Sequence, residues 1–154
     1  MIIETKRFGR VEYDQASILT LDKGLIGISE HRSFILIEKD DFQPFAYLQS
    51  VEDPAIALVV INPFLVEVNY KFCIHDDDLR SINARGNEDF LLLAIVVFAD
   101  QPEQIMVNLK APLLMNVHTK RSKQVILLND DYSVSEPSFK PSALANKPKG
   151  GKVP

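Results

Sequence analysis

The stretch FAYLQSVEDPAIALVVINPF, residues 45–64, leaves the surrounding chain little freedom in how it folds. Phe45, Tyr47 and Gln49 alternate with Ala46, Leu48 and Ser50, the period of two expected of a strand with unlike faces. The Asp53-Pro54 step ends that strand, because proline lacks a donor N–H and steers the preceding residue away from helical angles. Glu52 and Asp53 are therefore predicted in a turn. Residues 55–61 are apolar at every position and β-branched at four of seven, which reads as a strand covered on both faces. Asn62-Pro63 closes it.

The rest of the chain repeats this short-strand rhythm. Residues 2–6 and 11–13 flank Gly9, as in a hairpin whose bend needs a residue tolerant of positive φ. Strands are predicted at 18–21 and 34–38, separated by the loop Lys23-Gly24-Leu25-Ile26-Gly27 and one helical turn at 29–32 capped by Ser29. Residues 65–74 read as strand-like with an exposed edge. Asp76, Asp77 and Asp78 then open a short helix, where acids complement the N-terminal dipole, with Leu79 and Ile82 three apart. Arg85-Gly86-Asn87 ends it. Residues 90–98 form the most apolar strand and belong in the middle of the core. Asp100-Gln101-Pro102-Glu103 makes a turn, and strands at 105–109, 113–117 and 123–128 follow at antiparallel spacing.

So many strands and one helix predict a mostly β fold: a single-domain antiparallel sheet, curled or closed into a flattened β-barrel, with one short helix. A flat sheet of that size would leave adhesive edges. The expected domain spans 1–135. Residues 136–154, with four prolines and four lysines, cannot build a core and are expected to be a tail disordered in isolation. The longest apolar run, residues 90–99, is far short of the ~20 residues of a membrane-spanning helix. No signal peptide is evident at the N-terminus, so the expected location is the cytoplasm.

Catalytic and metal chemistries find little to use. Cys73 is the single cysteine and reads as a small hydrophobe; Cys73-x-His75 lacks further ligands. His31, His75 and His118 stand in separate loops, none with a partner at ligand spacing. A calcium loop beginning at Asp76 would need glycine at its sixth position and glutamate at its twelfth, where Ser81 and Asn87 stand. Ser50 is not in a Gly-x-Ser-x-Gly elbow. The paired acids Glu52-Asp53 and Glu88-Asp89 are adjacent in turns that face water. No enzyme activity, cofactor or metal site is expected.

Charge is more informative. Residues 136–154 carry +3 and leave −7 on residues 1–135, an acidic body that repels nucleic-acid phosphates and suits a basic protein partner. One basic cluster remains, His118-Thr119-Lys120-Arg121-Ser122-Lys123, at the tip of a predicted hairpin. It supports an alternative reading, a small β-barrel that binds single-stranded nucleic acid through Lys120, Arg121 and Lys123, with Tyr132 or Phe139 for stacking.

Several motifs arrive together: Leu48-Gln49-Ser50-x-x-Asp53-Pro54, Asn62-Pro63-Phe64, Asn108-Leu109-x-Ala111-Pro112, and Asn116-x-x-Thr119 before Gln124-Val125-Ile126-Leu127. In this order and spacing they resemble the FliW family of flagellar assembly factors, over residues 1 to about 132. Ile26 stands where the family commonly has proline in a Gly-Leu-Pro-Gly loop. The resemblance implies a non-enzymatic regulator with two protein partners, flagellin and the RNA-binding carbon storage regulator CsrA. Flagellin occupies the protein while unsecreted; once flagellin is exported, the free protein binds CsrA and relieves repression of flagellin translation. Under that implication, Glu52, Asp53, Asp76, Asp77 and Asp78 form an acidic docking face, with Gln49 and Asn62 as nearby polar contacts.

Overall fold

The computed structural model describes residues 1–98 and 105–139; the expected turn at 100–103 and residues 140–154 of the expected tail lie outside them. Its strands are β1 (Ile2–Thr5), β2 (Gly9–Glu12), β3 (Leu19–Leu21), β4 (Ser33–Ile37), β5 (Phe45–Ser50), β6 (Ala57–Ile61), β7 (Phe90–Phe98), β8 (Ile105–Val107), β9 (Leu113–Asn116), β10 (Arg121–Gln124) and β11 (Glu136–Phe139). Among the described residues one α-helix, α1 (Asp76–Ser81), completes the regular structure apart from short 3-10 turns.

Strands β3, β4, β5, β6, β7, β9 and β10 pair in a ring, because β7 bonds β9 through residues 90–93 and β6 through residues 94–96. The second half of β7 also bonds β8, which carries β11 on its outer side. The curled sheet is thus as expected, with one difference in direction. β10 runs parallel to β3, while every other pair in the ring is antiparallel. The reason is arithmetic. Directions alternate around a ring, so a ring with an odd number of strands must contain one parallel pair.

Period-two alternation sorts the ring strands into two cores. Leu21, Phe34, Leu48, Val60, Leu93 and Leu113 fill the inside of the ring. Ile61, Leu92, Ala94, Val96 and Leu114 face outward into a second core, closed by Val107 of β8 and by Tyr70, Ile82, Val125 and Leu127 from the covering chain. Neighbours such as Val60 and Ile61, or Leu92 and Leu93, therefore enter opposite cores. That is why β6 and β7 are apolar along their length.

The N-terminal hairpin β1–β2 is a separate two-stranded sheet. Gly9 has φ +65° at its bend, as its sequence predicts. The hairpin is fastened to the ring by the Lys6 N–H, which donates to the Pro54 carbonyl at 3.0 Å. Phe8 meets Tyr47 edge-on at 4.7 Å, and Tyr47 stacks on Phe42 at 4.5 Å.

Four local expectations change. Residues 29–32 form no helical turn: Gly24 and Gly27 both take positive φ, and the chain reverses through a Leu25–Ile28 bridge instead. Residues 65–74 form no strand. A 3-10 turn at Pro63–Leu65 is followed by irregular chain whose backbone is held by side chains. Lys71 N–H donates to the Tyr132 hydroxyl at 2.8 Å and Cys73 N–H to Asn129 Oδ1 at 2.9 Å. Buried Tyr70 ties the same segment down by donating to the Leu109 carbonyl at 2.6 Å. The strand expected at 123–128 is β10, which begins at Arg121 and ends at Gln124. Beyond it Val125 and Leu127 still bond alternate residues, Pro112 and Lys110. Finally, β11 lies past residue 135, so the sheet extends into the segment read as tail.

Candidate functional site

The β5–β6 pair has two ends, and they differ in character. At the Ser50 end, Gln49 is fully buried. Its Nε2 donates to the Ser50 and Ile56 carbonyls, both at 3.0 Å. Glu52 accepts from the Arg32 and Ser33 amides at 2.6 and 2.7 Å, and Asp53 accepts from the Ala55 amide at 2.9 Å. These polar groups satisfy a tight loop's backbone donors and acceptors, which would otherwise be costly to bury. Gln49 offers no surface to a partner, so the expected contact there is replaced by a structural one.

At the other end, where Phe45 pairs with Ile61, the mouth of the ring stays open. Leu36, Phe45, Ala46, Leu91, Leu93 and Met115 are among the residues around a recess of about 200 Å³. Asn62 and Leu91 also line an adjoining hollow of about 360 Å³ with Phe64, Phe72 and Phe90. Leu91 and Phe64 keep 38% and 39% of their surface exposed. The result is a continuous apolar groove with Asn62 at its junction. Asn62 Oδ1 accepts from the Phe64 amide at 2.9 Å and caps the Pro63–Leu65 turn that forms one wall.

One acid lines this groove and two more stand close to it in sequence. Glu38 lines it, and Asp40 and Asp41 form the turn that leads into Gln43 and Pro44. None of the three makes an ion pair with a described residue.

The aspartates of α1 behave differently. Asp77 pairs with Arg80 and its amide donates to His75 Nδ1. Asp78 meets Lys123 at 2.6 Å, with the two side chains only 18% and 29% exposed. Asp76 alone of the three makes no ion pair with a described residue. The seven polar residues singled out in the sequence therefore do not share one face. Gln49, Glu52 and Asp53 sit at one end of β5 and β6, Asn62 at the opposite end, and Asp76–Asp78 on the helix. Sequence patterns do not mark Glu38 or Leu91, which line the groove. The one available signal was β7, whose apolar run begins at Phe90, ahead of the residues that β6 covers.

The basic cluster is likewise engaged. Arg121 meets Asp22 at 2.8 Å, Lys123 meets Asp78, and Lys120 Nζ donates to the Val117 carbonyl at 3.3 Å. His118 lies 3.4 Å from Asp89. Asp89 is held below the ordinary carboxylate range, first by the Arg85 N–H it accepts and then by Gly86 and His118, against a desolvation that pulls the other way. Phosphates would have to displace existing carboxylate partners to use this hairpin. A double-mutant cycle with Asp78→Ala and Lys123→Ala is expected to give a coupling of about 1 kcal/mol in urea unfolding, the upper range for such pairs. Strict additivity would show the pair to be energetically idle.

Comparison with known proteins fits this architecture. A family profile described as FliW protein matches residues 2–138. The chain belongs to the FliW family. It is 35% identical over 139 residues to the flagellar assembly factor FliW of Bdellovibrio bacteriovorus, covering 90% of this chain and 79% of that one. The FliW of Caldanaerobacter subterraneus is also 35% identical over 139 residues, covering 89% and 92%. A crystal structure of the flagellar assembly factor FliW superposes with a TM-score of 0.83 at 34% identity, covering 90% of this chain and 97% of that chain. The FliW match, like β11, runs beyond residue 135. At the position where the family resemblance expects proline, the Ile26 N–H donates to Gln124 Oε1 at 2.9 Å. A proline there has no such donor, so this loop is tied to β10 by a bond its own sequence permits.

Proposed function

We propose that this FliW-family chain is a cytoplasmic, non-enzymatic flagellar assembly factor that switches between two partners. It binds flagellin and, when free of flagellin, binds CsrA and antagonises its repression of translation. The observation that carries this reading is the near full-length likeness to flagellar assembly factors, in sequence and in fold. The acidic surface supports a basic partner such as an RNA-binding regulator. Of the residues singled out in the sequence, we assign partner contact to Asn62, on the groove, and Asp76, the carboxylate of α1 that makes no ion pair with a described residue. Glu52, Asp53, Asp77 and Asp78 stabilise local structure.

The test is a binding titration of the purified full chain with flagellin and with CsrA, singly and together. Each partner is expected to bind, and flagellin should weaken CsrA binding by the factor by which CsrA weakens flagellin binding, since coupling between ligands is reciprocal. In a gel shift, the chain should dissolve the CsrA–RNA complex without shifting RNA itself. Binding of neither protein defeats the proposal. Direct, salt-sensitive RNA binding by the chain alone would support the nucleic-acid reading through Lys120, Arg121 and Lys123.

A further inference from the structure

We propose that residues 140–154, KPSALANKPKGGKVP, are an intramolecular occupant of the Glu38-lined groove at the mouth of the ring, and so compete with external partners for it. Charge is the first argument. This segment holds four of the chain's 17 basic residues and none of its 21 acids, which leaves −8 on residues 1–139. On the body, Glu38 lines the groove and exposed Asp40 and Asp41 lie in the turn that leads into its residues Gln43 and Pro44; none of the three makes an ion pair with a described residue. Carboxylates at and near an apolar surface favour a ligand that is apolar and cationic together. Ala143-Leu144-Ala145 followed by Lys147, Lys149 and Lys152 has that composition.

Position is the second argument. Phe139 pairs with Ile105, which pairs with Phe98, so the described chain ends about two strand spacings, or ~10 Å, from Phe98. The Phe98 ring lies 5.8 Å from that of Phe45, a residue of the groove. Extended chain spans at most ~3.3–3.6 Å per residue, so Leu144, five residues on, reaches roughly 17 Å from Phe139 and the whole segment roughly 50 Å. The segment thus starts beside the groove with length to spare. Tethering raises its effective concentration there to the millimolar range, so weak intrinsic affinity suffices for occupancy. This proposal does not depend on which external protein the groove admits.

The test uses the full chain carrying Cys73→Ser and Lys152→Cys, with a nitroxide on the new thiol and amide intensities read by NMR. Amides of Glu38, Asp41 and Leu91 are expected to lose roughly twofold or more of their intensity and to recover it in ~1 M salt, where charges are screened beyond about 3 Å. Asp40→Asn with Asp41→Asn should weaken the effect without altering the fold, which the remaining spectrum reports. Even broadening over the whole surface, or broadening confined to β8 and β11, overturns the proposal. So does broadening that appears only when isotope and nitroxide are on different chains, because the occupant is then a second copy.

Discussion

Phe34→Ala is expected to lower the unfolding free energy by about 3–5 kcal/mol, the cost of emptying a large buried site that its neighbours cannot refill. Phe34 is wholly buried inside the ring. It stands in β4 opposite Leu19 on one side and Ser50 on the other, so its ring fills space between strands held in register by two ladders. Those ladders resist collapse into the cavity, which places the loss toward the upper part of that range. For a chain of this length the melting temperature should fall by roughly 6–20 °C. Ile126→Ala, at a side chain 60% exposed, is the control and should stay within about 0.5 kcal/mol of the parent. Equal effects at the two sites, measured by urea or thermal unfolding, would disprove the two-core assignment.

The second large effect concerns two glycines with nearly the same backbone angle. Gly9 has φ +65° and open space where a Cβ would stand; Gly24 has φ +64°, but an added Cβ would come within 2.5 Å of the Ser29 carbonyl oxygen. Alanine at either position incurs the left-handed penalty, on the order of 1 kcal/mol. Only Gly24→Ala also drives a methyl into backbone that cannot swing aside as a side chain would, which raises its expected cost to about 3 kcal/mol or more. Urea midpoints of the two variants should therefore differ by about 2 kcal/mol. If they coincide, the close approach of the 24–29 turn is not a feature of the folded state.

These two predictions rest on different kinds of information. Gly9 was legible because a hairpin between two apolar-alternating segments needs a bend, and glycine at that bend announces positive φ. Gly24 was legible only as part of an irregular loop. Its intolerance of a methyl group depends on Ser29 folding back over it, a contact set by the Leu25–Ile28 bridge. The strand pair around Asp53-Pro54, the apolar β7 and the helix begun by Asp76 were likewise readable, since each is written in nearest-neighbour periodicity and turn chemistry. The family motifs pointed to the same fold.

The docking surface was less legible. Asp77 and Asp78 look like free surface charge in sequence, yet their partners are Arg80 and Lys123, the second 45 positions away. Gln49 is expected from sequence as a polar contact, while the loop at 51–56 folds over it and takes its amide as a donor to the Ser50 and Ile56 carbonyls. Glu38, Asp40 and Asp41 show no motif. Glu38 matters because ring closure leaves it beside Leu36 and Phe45 at an open mouth.

Local sequence determined which central segments become strands, which residues alternate, and which turns separate them, because those properties depend on side chains within a few positions of one another. Tertiary structure alone decided that seven strands close with one parallel pair, which charges neutralise each other, and which end of the ring stays open. Those outcomes depend on pairings between residues up to 101 positions apart, as in Arg121 with Thr20, and no periodicity along the chain encodes them.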